Sequence, residues 1–416
     1  MGESLSNKLY IGIDLGEESA MLSYYYPGMD RPSTISFVAG SNDYKLPLVI
    51  AKRSGIGHWV YGKEALRMGS EQKGTVVDRL YQRALQGEQL VVEGRSYGAE
   101  ELFLLYIKKI LSIPNKLDYH REIGHLTIAV REVTRESILL LGKVRQGLEL
   151  WEDQFEVIDY KECFYFYHCN QEENLQNHLA GLFDGSEEKL TFLELSKEKQ
   201  TKPVVVEIDR EEIGDFPKGL QAGEKDRRLL EAAQQVFSKK LFSAVYFVGD
   251  AFDGGWMSES LRFICRGRRA FSGKNLYSLG ACFASFLKYS ENWKEIYLGD
   301  SAFKMNISLK VRRKNEMEFY SLVTAGENWY YGEHSCDLIL DGTNVIELWL
   351  QHPYGREAKI ENLEIADLPK RPEKTTRIRI TARLLSDTSA EIILQDVGFG
   401  EFYPSSGKVW KYKMEF

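Results

Sequence analysis

Leu9-Tyr-Ile-Gly-Ile-Asp-Leu15, Gly16-Glu17-Glu18-Ser19 and Ala20-Met-Leu-Ser-Tyr-Tyr-Tyr26 follow one another near the start of the chain. The first run has strand composition, the second is a turn and the third returns, so together they read as a β-hairpin with a four-residue loop. Strand-like stretches recur at Thr34–Val38 and Leu46–Ile50. Between Tyr97 and Ile113, the spacing of Leu102, Leu105, Tyr106, Ile110 and Ile113 predicts an amphipathic helix, and Pro114-Asn115 is expected to end it. A strand at Leu126–Val130 precedes a helix capped by Thr134 and running through Gly142, with Ile138, Leu139, Leu141 and Val144 as its buried stripe. Phe155–Ile158 reads as a strand leading into Tyr160–Cys169. Thr191–Leu195 and Pro203–Ile208 read as a strand pair, and a charged helix over Glu224–Lys240 leads into the strand Ala244–Val248. Strands and helices alternate to about Tyr289, which indicates an α/β region.

From Ala302 the texture changes. Lys304–Val311, Val345–Leu350, Thr376–Ala382 and Ala390–Gln395 alternate apolar and polar residues, with turn signals such as Asp341-Gly342 between them. That pattern predicts an all-β sandwich. The acidic, apolar stretch Trp293–Asp300 reads as the connector.

With 43% hydrophobic residues among 416, the chain can bury a large core and build two or three domains. Its net charge of -7 is spread without a basic stripe, which argues against nucleic acid or an anionic membrane as partner. Residues Met1 to Lys8 lack the basic-then-apolar order of a signal peptide, and no apolar run approaches the ~20 residues that span a bilayer. Cys163, Cys169, Cys265, Cys282 and Cys336 sit in apolar surroundings and read as reduced core thiols of a cytoplasmic protein. His58, His120, His125, His168, His334 and His352 are scattered and form no constellation with a nucleophile. Arg262, Arg266, Arg268 and Arg269 read as a solvated face or a contact for an acidic partner.

Ile11-Gly-Ile-Asp14-Leu-Gly16 resembles the first phosphate loop of actin-like ATPases, above all the 70-kDa heat-shock chaperones. Further segments resemble that family in the family's own order. They include Pro32–Phe37, Tyr61–Leu66, Gly74–Asp78, Leu126–Val130 with Gly147-Leu-Glu149, Asp159–Tyr167, Phe247-Val-Gly249 and Leu279-Gly-Ala281. Glu361–Pro369, with the strands of Arg377 and Glu391, resembles the chaperones' substrate-binding β-sandwich. The resemblance implies a two-lobed actin-like (ribonuclease-H-like) α/β ATPase fold over 1–292, its second lobe truncated at roughly 179–292. A linker at 293–300 and an all-β sandwich of substrate-binding type over 301–416 would follow.

In that family ATP lies between two glycine-rich hairpins whose backbone N–H groups reach the phosphates. Carried onto this chain, the nucleotide-binding positions are Asp14, Gly16, Glu194, Gly249, Gly254 and Gly255. The chain departs from the pattern at most of them. Glu17 and Glu18 replace hydroxyls, and a like-charge pair at ~4 Å is unfavourable by roughly 4 kcal/mol at an effective dielectric near 20. A solvated turn is the plain reading; a cation held by Asp14, Glu17 and Glu18 would reverse the sign. The second hairpin is expected at Leu193–Glu198, which has no glycine, with Glu194 standing for the family's aspartate. The catalytic-lysine position falls near Leu80, and Arg79 or Arg83 is a poor substitute. Most of the adenine-contacting subdomain is missing between Glu194 and Gly249. Gly249-Asp-Ala-Phe-Asp-Gly-Gly-Trp256 is the one glycine-rich strand-to-helix loop left, and such a turn needs glycine with or without an anion.

These departures predict a chaperone-like pseudo-ATPase that binds or scaffolds, with no catalytic residue assigned and ATP or ADP with magnesium left open as cofactor. The expected partner is an extended peptide or a protein held by the sandwich. Trp329, Tyr330, Tyr331, Trp349, Phe399, Phe402, Tyr403 and Trp410 would divide between its core and a cleft. The family's helical lid has no counterpart before Phe416, so exchange should be fast. The competing reading is a weak magnesium-ATP-dependent chaperone ATPase, with Asp14 and Glu194 around the metal and nucleotide state controlling the sandwich. A structural subunit of an assembly is a third.

Overall fold

The computed structural model describes residues 8–37, 40–55, 57–117, 121–186, 188–199, 201, 203–217, 219–238, 240–287, 295–314, 316–330, 333–355 and 357–416, the side chains of 115–117 excepted. Val38, His120, Tyr289, Trp293 and Tyr331 lie outside the described residues, as do residues 1–7. The chain is mixed α/β with several sheets and a β-rich C-terminal region. It divides into two compact units, Met1–Ser196 with Ile208–Lys294, and Lys197–Glu207 with Glu295–Phe416.

The first unit starts with β1 (Lys8–Leu15), in which every residue from Ile11 to Leu15 is buried, as in a strand covered on both faces. It pairs antiparallel with β2 (Ser19–Tyr25), and β3 (Ser33–Thr34) and β4 (Leu46–Pro47) pair with β2 in turn. A small sheet of β5 (Ile50–Arg53), β6 (Trp59–Tyr61) and β7 (Gly74–Val77) carries α1 (Gly62–Ser70). Next come α2 (Leu80–Leu85), the hairpin β8 (Gln89–Val92) and β9 (Arg95–Gly98), and α3 (Ala99–Leu117). β10 (Glu122–Val130) returns parallel to β1, α4 (Arg135–Gly147) follows, and β11 (Phe155–Asp159) lies parallel to β10. The order is β11-β10-β1-β2-β3.

Two local expectations are corrected. Pro114 lies inside α3, which runs on to Leu117 although a proline there gives up the bond to the carbonyl four residues earlier and crowds it. Thr134 caps α4 in a capping box with Ser137, as expected, but the buried stripe is Ser137, Leu140, Leu141 and Val144. Leu139 is 61% exposed, one position out of phase with that stripe.

After α5 (Tyr160–Cys169) the same strand order recurs. β12 (Leu179–Asp184) pairs antiparallel with β13 (Lys189–Glu198), next to which lies β14 (Val204–Asp215). After α6 (Ala222–Val236), β15 (Phe242–Val248) lies parallel to β12. Then, after α7 (Glu259–Ile264), β16 (Arg269–Ser272) lies parallel to β15. α8 (Leu276–Leu287) closes the unit. The order β16-β15-β12-β13-β14 repeats that of the first sheet, strand for strand.

The helix after each sheet packs against the other sheet. α5 follows β11, yet Phe164 meets Tyr246 of β15 edge-on at 5.6 Å and His168 Nδ1 lies 3.0 Å from the Tyr246 hydroxyl. α8 follows β16, yet Ser278 shares a hydrogen bond of 2.8 Å with Ser23 of β2. A Cβ on Gly12 would collide with the α8 backbone at Cys282 and Ser278, and one on Gly280 with Cys163 of α5. Glycine at both positions is what lets β1, α8 and α5 approach so closely.

In the second unit, Val204–Val206 pair parallel with β17 (Glu295–Tyr297), so a strand stands inside the expected linker and residues 197–207 count with the C-terminal part. Two antiparallel sheets follow. One has the order β19 (Glu316–Val323), β18 (Asn306–Arg313), β21 (Val345–Gln351), β22 (Lys359–Glu364). The other has the order β20 (Glu333–Leu340), β23 (Thr376–Leu384), β24 (Ser389–Asp396), β25 (Val409–Glu415). Ile307, Leu309, Leu348 and Leu350 of the first share one core with Ile378, Ile380, Ile392 and Leu394 of the second. The alternation of β23, buried at every second residue, is the period expected from its sequence.

All five cysteines are free; Cys163 and Cys282 are buried, whereas Cys265 is exposed and so is no core thiol. No helix among the described residues is long and apolar enough to cross a membrane.

Candidate functional site

β1 and β12 occupy the same place in their sheets, and each carries an aspartate, Asp14 one residue before the end of β1 and Asp184 at the end of β12, followed by a glycine-containing turn. Asp14 is 4% exposed and Asp184 6%. The first turn is closed by Gly16 N–H donating to the Ser19 carbonyl at 3.0 Å. In the second, Ser186 N–H donates to Asp184 Oδ1 at 2.9 Å, an Asx-type turn.

A tyrosine meets each carboxylate. Tyr160 opens α5, whose N-cap Asp159 accepts from Glu162 N–H at 2.6 Å, and its hydroxyl donates to Asp14 Oδ1 at 2.6 Å. Tyr277, in the first turn of α8, donates to Asp184 Oδ2 at 2.8 Å. The two rings stack with centroids 4.1 Å apart and planes at 11°. Asp14, Tyr160, Tyr277 and Asp184 therefore form one continuous buried chain, with its two halves in equivalent positions of the repeated fold.

The electrostatics follow from burial. The Asp14 carboxyl is raised to about 6 in all: loss of water pushes it up, the Tyr160 hydroxyl pulls it down, Asp184 pushes it up, and Arg131 and Lys45 pull it down. Burial likewise holds the Tyr160 and Tyr277 hydroxyls well above the usual tyrosine value, so both are neutral donors. The Arg131 guanidinium lies 5.5 Å from the centre of the Tyr160 ring. Paired aromatic rings join the two strand ends, and both carboxylates already accept from tyrosine.

Residues 31–300 match the model of a family of unknown function, DUF5716, in its C-terminal part. The chain belongs to the DUF5716 family. Residues 302–416 match a domain of unknown function, DUF8552, which takes in all the strands from β18 to β25. No curated protein matches the chain.

In this DUF5716 chain the expected site residues are only partly together. Asp14 and Gly16 are at the first tip. Glu17 and Glu18 are exposed on the turn, while Asp14 is buried beneath Tyr160, so the three do not converge as a cation site. No group of three or more His, Cys, Asp or Glu among the described residues could hold a metal ion. Glu194 is not the counterpart of Asp14. It lies on β13 opposite Gly181 and is held by Lys240 at 2.6 Å. The counterpart is Asp184, one strand earlier. Its signal was present in Gly181-Leu-Phe-Asp184-Gly-Ser-Glu-Glu188, which echoes Gly12-Ile-Asp14-Leu-Gly-Glu-Glu18. Tyr160 and Tyr277 carried no local signal.

Gly249 does approach the second tip. It has φ 107°, and a Cβ there would stand 2.6 Å from the carbonyl carbon of Gly185. Its glycine is required by the neighbouring turn. Gly254 and Gly255 lie further along, where a Cβ would meet at most the Trp256 ring. The loop's carboxylates are matched by lysines, Asp250 by Lys45 at 2.7 Å and Asp253 by Lys274 at 2.6 Å. The basic cluster is spread out: Arg262 pairs with Glu259, Arg269 with Glu172, and Arg268 lies over the Phe237 ring.

In the C-terminal part the singled-out aromatics divide. Trp329 and Trp410 pack against the core, their indole N–H groups donating to Asp300 and Ala366 carbonyls. Phe402 is 91% exposed. A groove of ≈ 900 Å³ opens elsewhere, between β18 and β19 on one side and β20 on the other, with Val311, Cys336 and Leu338 on its floor. None of those aromatics lines it.

Proposed function

We propose that this chain is a chaperone-like pseudo-ATPase with an actin-like first part, acting as a peptide- or protein-binding or scaffolding protein through a β-sandwich. The observation that carries the reading is the stacked Tyr160–Tyr277 pair joining Asp14 and Asp184. The repeated strand order, with a strand-end aspartate in each half, supports an ancestor of the actin-like kind. Tyrosines in the path of the phosphates, carboxylates at Glu17 and Glu18, and ion-paired carboxylates in the Gly249 loop all oppose nucleotide binding. Fold alone does not carry function, and the site is where this chain has diverged.

The retained pair Asp14 and Asp184 favours one alternative, a weak magnesium-ATP-dependent chaperone ATPase whose nucleotide state controls the sandwich. Calorimetric titration of the full chain with ATP and magnesium, with thermal melting alongside, separates the two. No heat and no change in Tm up to millimolar ATP is expected. Saturable micromolar binding would raise Tm by mass action and overturn the pseudo-ATPase reading. Turnover lost in Asp14→Ala and Asp184→Ala would then establish the enzyme.

A further inference from the structure

The outer faces of the two C-terminal sheets are built differently. On the sheet of β20, β23, β24 and β25 the outward residues form charge ladders. Glu333 faces Arg383, which also reaches Glu391, and Asp337 faces Arg379 at 2.7 Å. Such a face is solvated. On the sheet of β19, β18, β21 and β22 the outward face carries Phe319 opposite Lys310, and Trp349 opposite Ser308 and Ile360. Phe319 meets Trp349 edge-on at 5.0 Å, and Lys310 lies over the indole.

β19 is the least protected strand of that sheet. Its residues from Glu316 to Ser321 are all exposed, Met317 by 54%, Phe319 by 59% and Tyr320 by 43%. It ends its sheet, so among the described residues no strand pairs with its outer edge. Natural edges are blunted by shortness, proline, bulges or charge. β19 has eight residues and no proline, its register shift lies at the far end, near Ser321, and its charges, Glu316 and Glu318, are confined to the turn end. The groove of ≈ 900 Å³ runs beneath its inner face. At the β18–β19 turn the rim gathers Arg312, Arg313, Lys314 and Lys374, against which stand the carboxylates of Asp341 and Glu318. With Glu316, the register partner of Arg313, four cations meet three carboxylates there.

We infer that the free edge of β19 is a strand-addition site for an extended segment of a partner protein, apolar on both faces and ending C-terminally in acidic residues. An added strand antiparallel to β19 would take its ladder hydrogen bonds. One set of its side chains would cover Met317 and Phe319, and the other would enter the groove toward Val311, Cys336 and Leu338. Its C-terminal end would arrive beside Arg313 and Lys314, where acidic residues match the surplus cations. This site rests on the reading of the C-terminal part as a binding module.

The test uses the full chain and three fluorescent peptides in anisotropy titrations. One is built of valine and isoleucine and ends in three glutamates, the second ends in three lysines, and the third is the first with alternate backbone amides N-methylated. The glutamate-ended peptide should bind at least about tenfold more tightly than the lysine-ended one, and N-methylation should abolish binding. The double variant Arg313→Glu, Lys314→Glu changes only surface residues and should invert the preference. An unchanged preference in that variant, or equal binding of both peptides, overturns the site while leaving the binding-module reading standing. No binding of any peptide overturns both. A concentration-dependent dimer of the full chain, lost on Met317→Lys with Phe319→Lys, would put a second copy on the edge and overturn the proposal.

Discussion

Asp14 carries its charge in a place that disfavours it. Its ordinary value is 3.8 and its value in the fold is about 6, so between those limits the folded chain binds more protons than the unfolded one. Stability contributed by this group is therefore full below about pH 4 and lost as pH rises through 6, on the order of 3 kcal/mol in all. Asp14→Asn keeps an acceptor for Tyr160 and removes the charge. The variant should match the parent in Tm near pH 4 and exceed it by several degrees at pH 7 to 8. Parallel Tm profiles across that range would refute the account. Tyr160→Phe acts in the opposite sense, because it leaves a buried carboxylate without its donor, at about 1–3 kcal/mol. Its effect should be largest above pH 6 and much smaller in the Asp14→Asn background, a coupling that a double-mutant cycle measures directly.

At the scale of elements, the Gly249 loop separates a packing role from a ligand role. Gly249→Ala meets both a positive φ and the backbone of Gly185, and should destabilise by about 2–4 kcal/mol with no ligand present. Gly255→Ala, with nothing within 4 Å of its Cβ, should be near neutral in the same denaturant titration. A ligand loop would give the reverse, two stable variants that differ in binding. The elements most legible in the sequence were those set by local signals: the β1–β2 hairpin, the Thr134 cap of α4 and the period-2 strands of the C-terminal sheets. β12 was not legible. Leu179-Ala-Gly-Leu-Phe-Asp184 is short, has no β-branched residue, and follows a polar stretch. The clearer strand pattern of Thr191–Leu195 therefore drew the expected second hairpin to Glu194, past Asp184. Tyr160 and Tyr277 were illegible for a different reason: crossing helices bring them together, and no spacing along the chain encodes that. The exposure of β19 was hidden too, since its alternation cannot tell an edge from a centre.

At the scale of the whole molecule, the two units cannot be separated by a single cut in the chain. Residues 197–207 depart from the first unit in mid-sequence and supply Val204–Val206 as a strand beside β17. Val205 is 1% exposed and packs with Leu298 and Ala325, with Ile296 and Tyr354 at the margin. A fragment of residues 301–416 keeps the large core between the two sheets but loses Val205, Ile296 and Leu298 together. Each fully buried aliphatic side chain contributes roughly 1.5–3 kcal/mol by burial, so the loss is a large share of a domain's net stability. The fragment should fold, melt well below the same strands in the full chain, and bind a hydrophobic dye at the uncovered Ala325 and Tyr354. Hydrogen exchange of β18 and β21 in the two contexts gives the comparison. Equal protection would mean that 197–207 is a passenger on the C-terminal sheets. Strong protection in the full chain alone would make unfolding of the first unit pull a strand out of the second, tying any binding at β19 to the integrity of the tyrosine-bridged part.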